Sequence, residues 1–106
     1  MKREISGGEQ VPGSIAGKVV AVSDCGNLIT DIAVSSLDAV PRDERVTIRC
    51  DEHETCGIYG LDHGQPPFTL LAVEGAGGAL ELVIVDDSAQ IMLGVREGAP
   101  VEVVWD

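Results

Sequence analysis

A Gly26-Asn27 pair interrupts a run of β-formers that resumes at once, and this interruption constrains the fold more than any other feature of the chain. Residues 14–24 read as a first strand, with residues 18–24 feeding the break, and Leu28-Ile29-Thr30-Asp31-Ile32 reads as the second. Glycine and asparagine are the residue types most at ease at positive φ, so the stretch reads as strand, turn, strand. The turn also presents the Asn27 carboxamide, which offers a donor and an acceptor side by side. That pairing suits the edge of a purine or another amide-like ligand.

The rest of the chain repeats this grammar. Pro12-Gly13 marks a turn ahead of the first strand, and residues 1–14 read as a flexible leader to a single domain over residues 15–106. Residues 34–40 suit one helical turn capped by Ser35 or Ser36 and ended by Pro41. Residues 45–50 alternate, placing Val46, Ile48 and Cys50 on one face, and residues 55–59 return as the hairpin partner. Residues 68–74 and 80–85 read as buried strands joined by the glycine-rich turn at residues 75–78. Asp86-Asp87-Ser88 can cap a short helix over residues 89–93 that Gly94 stops, and residues 99–105 form the last strand. The expectation is an all-β fold: a small antiparallel β-barrel of about seven short strands with one or two short helical turns.

Composition narrows the function classes. With one Phe, one Tyr and one Trp in 106 residues, the core must be aliphatic. Eighteen acidic residues against seven basic ones give a net charge of −11, which argues against nucleic acid or membrane surfaces as partners. The arginines at 42, 45 and 49 sit among Asp43, Glu44, Asp51 and Glu52 and read as a solvated face. No apolar run approaches the roughly 18 residues that span a bilayer. No apolar stretch follows Lys2-Arg3, so the expected compartment is the cytoplasm, and three cysteines agree with a reducing one.

Few residues carry recognisable chemistry. Cys50, His53 and Cys56, with Cys25 elsewhere, can be drawn as a metal site, but the spacing is not that of a zinc knuckle. A cross-strand Cys50–Cys56 disulfide and a pair of small buried hydrophobes are the other readings. His53 and His63 belong to no triad motif, and His63 reads as a solvated loop residue. The turn at residues 75–78 lacks the Gly-Lys-Ser/Thr of a P-loop. Asp86-Asp87 reads as cap and solvent residues.

Three segments in order resemble the C-terminal domain of the S-adenosylmethionine hydroxide adenosyltransferases, relatives of the fluorinase and chlorinase enzymes. Residues 17–32, ending Cys25-Gly26-Asn27-Leu28-Ile29-Thr30-Asp31-Ile32, are similar to the family's strand followed by Phe-Gly-Asn-Leu-Ile-Thr-Asn-Ile. Tyr59 precedes a loop and the strand over residues 68–73. Gly78-Ala79-Leu80-Glu81-Leu82, then Ser88-Ala89 and Leu93-Gly94, then residues 98–103, are similar to the family's Gly-Tyr-Leu-Glu-Ile-Ala, Gly-Ser-Ala and Leu-Gly stretches.

The resemblance implies a small β-barrel whose ligand site, in the full enzymes, lies against the N-terminal domain of a neighbouring subunit in a trimer. It implies that Asn27 hydrogen-bonds adenine, that Tyr59 stacks on it, and that backbone near Asp86 contacts its edge. The chain departs from the pattern in having no counterpart of the N-terminal catalytic domain. Cys25 and Asp31 replace the aromatic and the second Asn, Ala76-Gly77 stands where the halogenating relatives have Ser-Arg, and Ile84 stands at another Arg position. A ligand carboxylate then lacks a cationic partner. The expected function is a stand-alone, non-catalytic barrel, without cofactor or metal, binding adenosine or S-adenosylmethionine. Its partner is then a homo-oligomer, a trimer by resemblance, or a separately encoded catalytic domain. The alternatives are a structural or oligomerisation module that has lost the ligand, with residues 45–59 and 99–105 as edge strands, and a small S-adenosylmethionine-hydrolysing enzyme.

Overall fold

A computed structural model of the chain describes residues 13–105. Eight strands run β1 Gly13–Val22, β2 Leu28–Ala33, β3 Val46–Cys50, β4 His53–Cys56, β5 Ile58–Tyr59, β6 Leu70–Glu74, β7 Ala79–Ile84 and β8 Pro100–Trp105. A 3-10 turn, Val34–Leu37, follows β2, and one helix, α1 Ala89–Leu93, follows β7. The strand order is β4-β3-β8-β1-β2-β7-β6-β5, a sheet curled into a nearly closed barrel. The expected all-β barrel is what the chain forms. Of the expected leader, residues 1–12 lie outside the described residues, and Gly13 and Ser14 already belong to β1.

The barrel turns its corner on β1. Residues 13–18 pair with β8, whereas Val19, Ala21 and Val22 pair with β2, and a bulge between Val19 and Ala21 marks the handover. Bulges increase local twist and let one strand serve two sheets. Alternation then fills the interior from both sides. Val46, Ile48 and Cys50 of β3 are buried as expected, as are Leu80, Leu82 and Ile84 of β7. The core is aliphatic, drawn from Val, Leu, Ile, Ala and Cys.

Three expectations need correction. The return strand expected over residues 55–59 is two strands. β4 pairs antiparallel with β3, Gly57 at φ +88° breaks the run, and β5 lies parallel to β6. The loop between β3 and β4 is therefore only Asp51-Glu52, and one pair of this otherwise antiparallel barrel is parallel. Second, β8 lies between β3 and β1, so residues 99–105 offer no edge. Third, the turn after β2 has Ala33 at its N-cap and no side-chain cap, so Ser35 and Ser36 do not serve there.

Side chains close the remaining seam. Thr55 Oγ1 on β4 donates to the Leu70 carbonyl of β6 at 2.9 Å, and His53 Nε2 lies 2.9 Å from the Leu93 carbonyl at the end of α1. Arg42, exposed as expected of a solvated face, also acts as a clamp. It donates to the Leu37 and Val40 carbonyls and pairs with Glu74 of β6. Arg45 pairs with Asp43, and Arg49 with Glu54 and Glu102, so no basic spot survives there. The Arg45 guanidinium holds the Asp43 carboxyl below its usual range, a stabilisation present at neutral pH and lost as pH falls through the lowered value. Both groups are exposed, so this effect is small.

Candidate functional site

Three turns at one end of the barrel enclose a groove of about 640 Å³. The turn before β2 supplies Cys25 and Asn27, the turn after β7 supplies Asp86, Asp87 and Ser88, and the loop after β5 supplies Leu61 and His63. Val73, Val83 and Val85 give it an apolar floor.

The Gly26-Asn27 turn is welded to the start of α1. Ser23 N–H donates to the Asn27 carbonyl at 3.0 Å, and Asn27 N–H donates to Ser23 Oγ at 3.1 Å. Gly26, at φ +87°, packs its bare Cα against Ser88 and accepts from Gln90 N–H at 2.9 Å. Ser88 Oγ in turn accepts from Ile91 N–H at 3.2 Å, so of the three residues expected to cap the helix Ser88 does, and Gly94 ends it at φ +67°.

Three of the neighbouring motif residues have packing roles. Gly26 admits Ser88, Leu28 is fully buried, and Thr30 is 1% exposed with both ends of its hydroxyl engaged. Thr30 Oγ1 donates to the Leu80 carbonyl at 2.7 Å and accepts from Ile32 N–H at 3.1 Å, where the β2–β7 register shifts. Asn27 differs. Its backbone makes the turn, while the half-buried residue lines the groove and its carboxamide has no hydrogen-bond partner among the described residues. A carboxamide that the fold does not use is free for a ligand.

Asp86 lines the same groove at φ +62°, in a turn closed by Asp87 N–H to the Ile84 carbonyl at 3.0 Å. Asn27 and Asp86 are thus brought together. Tyr59 is not with them: it sits on β5 with its ring edge beside Gly57 and does not line the groove. His63, read from sequence as a solvated loop residue, does line it. Its Nδ1 accepts from Gln65 N–H at 2.9 Å, which leaves Nε2 as the protonated nitrogen of the neutral ring. Glycine and proline in residues 60–67 signal a loop but carry no sign of which wall it joins. No lysine or arginine lines the groove among the described residues, so its charge comes from Asp86 and Asp87.

The cysteines do not converge. Cys50 stands opposite His53 and faces the core, while Cys56 stands opposite Thr47 on the outer face, its Sγ 3.8 Å from Thr47 Oγ1. This register rules out the Cys50–Cys56 disulfide considered from sequence. Burial, with the Asp51 charge adding to it, pushes the Cys50 thiol up. In native protein, a thiol-reactive dye should label Cys25 and Cys56 quickly and Cys50 only on unfolding. Equal labelling of all three would show that the β3 face is not closed.

Residues 17–102 match the family model for the SAM hydroxide adenosyltransferase C-terminal domain. The chain belongs to this family. No curated protein matches it in sequence. Among solved structures, an uncharacterized conserved protein from Thermotoga maritima superposes with a TM-score of 0.72 at 24% identity, covering 85% of this chain and 35% of that one. A conserved hypothetical protein from Thermus thermophilus gives 0.61 at 22% identity, covering 83% and 34%. These likenesses show a shared fold, and the chain spans about a third of the length of either protein. In this SAM hydroxide adenosyltransferase C-terminal domain, the Gly26–Thr30 stretch brings Asn27 to the groove.

Proposed function

We propose that the groove is one wall of a binding site for an adenosine-type ligand, S-adenosylmethionine or adenosine, and that the domain has no catalysis of its own. The observation that carries this reading is Asn27, which lines the groove with a carboxamide that makes no hydrogen bond among the described residues, in a motif whose Gly26, Leu28 and Thr30 have packing roles. A purine edge offers the matching acceptor and donor. Asp86 and Asp87, with no cation beside them, favour a neutral or cationic ligand over a phosphorylated one. S-adenosylmethionine carries a sulfonium, which agrees with such a wall.

The groove is open on one side. Leu61, an exposed apolar side chain, lines it. This supports a second wall supplied by a partner, either a separately encoded catalytic domain or a neighbouring copy in a trimer. One wall buries too little of a ligand for tight binding.

Calorimetric titration with adenosine tests the proposal. Saturable binding is expected, weakened about tenfold in Asn27→Ala, the loss of one well-made pair of hydrogen bonds. Identical titrations of the two proteins would remove Asn27 from any site. Adenosine released from S-adenosylmethionine by the pure protein would make the domain a small hydrolase instead.

A further inference from the structure

The groove floor lies outside the barrel core. Val73 of β6 and Val83 of β7 alternate with the core residues Ala72, Leu82 and Ile84, and Val73 is buried without being part of that core. The sheet order across this floor is β2-β7-β6-β5. Asn27, just ahead of β2, comes from one side of it, and His63, in the loop after β5, comes from the other. The far end of the His63 loop is tied to the turn that carries Asp86. Phe68 N–H donates to the Val85 carbonyl at 2.7 Å and Val85 N–H donates to the Thr69 carbonyl at 3.0 Å, a bulge in which two residues oppose one.

The His63 ring is held by its own loop. Gly64, at φ +67°, turns the chain so that Gln65 N–H donates to His63 Nδ1 at 2.9 Å, and Gln65 Nε2 donates to the His63 carbonyl at 3.4 Å. With Nδ1 accepting, the neutral ring carries its proton on Nε2. That N–H has no partner among the described residues, although His63 is half-buried. The Asp86 carboxylate is unpartnered in the same sense, whereas Asp87 accepts from Ser88 N–H at 2.8 Å. Besides Asn27, the groove therefore offers a donor at His63 and an acceptor at Asp86. A ligand carboxylate only accepts and a ligand ammonium only donates, but a hydroxyl does both.

We propose that His63 and Asp86 read the sugar of the nucleoside whose base Asn27 reads, His63 Nε2–H donating to one hydroxyl oxygen and the Asp86 carboxylate accepting from a hydroxyl. The inference rests on the adenosine-type reading above. It makes His63 a specificity-determining residue, a role that the family resemblance does not assign. A ribose diol answers both groups at once, and a base alone answers neither. The floor between Asn27 and His63 is apolar, so the polar contacts of a bound nucleoside fall at its two ends.

Calorimetric titration with adenosine and with adenine, which keeps the base and lacks the sugar, tests the proposal. Wild type should bind adenosine about tenfold more tightly than adenine. His63→Asn keeps an acceptor where Nδ1 stands, for Gln65 N–H, and has no donor where Nε2 stands. It should bind adenosine as weakly as adenine, with the adenine affinity and the melting temperature unchanged. His63→Gln, whose amide N–H reaches the Nε2 position, should keep most of the preference. Asp86→Gly, which suits φ +62° and removes the carboxylate, should lose the preference as His63→Asn does. Asn27→Ala, by contrast, should weaken both ligands alike. If His63→Asn binds adenosine as wild type does, or loses adenosine and adenine equally, the sugar-reading role falls. The proposed function then still stands wherever Asn27→Ala weakens both ligands. Wild type that binds neither ligand overturns both.

Discussion

Gly26→Ala is expected to lower the unfolding free energy by about 3 kcal/mol, the sum of a left-handed alanine and an overpacked contact. The first part comes from φ +87°, a conformation that costs an L-residue roughly 1–2 kcal/mol. The second comes from Ser88, since a Cβ on Gly26 would overlap its hydroxyl and lie 2.9 Å from its Cα. The backbone there cannot swing aside, because the neighbouring Gln90 N–H is committed to the Gly26 carbonyl. In a domain of this size such a loss lowers the melting temperature by about 15 °C. Gly78→Ala is the control. Gly78 has φ +89° but nothing within 4 Å of a built Cβ, so it should lose only the conformational part, about 1 kcal/mol. Urea denaturation of the two variants checks this, and equal losses would mean that the Ser88 contact yields without cost.

Thr30→Val should be nearly as damaging, at about 2–3 kcal/mol, although the side chain keeps its shape. Thr30 sits where the β2–β7 ladder slips register, and its hydroxyl replaces the missing ladder bonds. Valine strands the Leu80 carbonyl and the Ile32 amide in a buried setting, each a desolvated group without a partner. Thr30→Ser keeps the oxygen and loses one methyl, so it should cost about 1 kcal/mol or less. A urea midpoint that falls for valine and hardly moves for serine, at constant m-value, is the expected pattern. Equal falls would assign the role to the methyl.

The sequence was legible wherever local chemistry decides. The alternation of Val46, Ile48 and Cys50 announced a strand and its buried face. The Asp86-Asp87-Ser88 run and Gly94 announced both ends of α1, and the scarcity of aromatics announced an aliphatic core. What escaped is set by tertiary neighbours. Alternation in residues 100–105 tells which face is buried but not which strands lie beside it, so a central strand read as an edge. A two-residue strand has no period, and nothing before Gly57 warned that Ile58-Tyr59 would leave β3 for a parallel place beside β6. Phe68 read as the first residue of a buried strand, whereas a bulge leaves it outside. The site divides in the same way. Asn27 and Asp86 share a groove because turn chemistry placed both at strand ends, but loop composition could not say that His63 would join them or that Tyr59 would not.

The central place of β8 has a consequence for how the domain is made. On a ribosome every other strand emerges before it, yet β3 and its hairpin partner β4 join the rest of the sheet only through β8. Until residues 100–105 arrive, β3 holds one bare edge, and β1 pairs with β2 while its first half waits. The contacts that then form link Gly13 to Trp105, the longest separation the described residues allow, and such pairings close slowly. Nascent chains of this fold therefore pass through a stage with two open strand edges awaiting one missing strand, the stage at which pairing with a second chain competes most strongly.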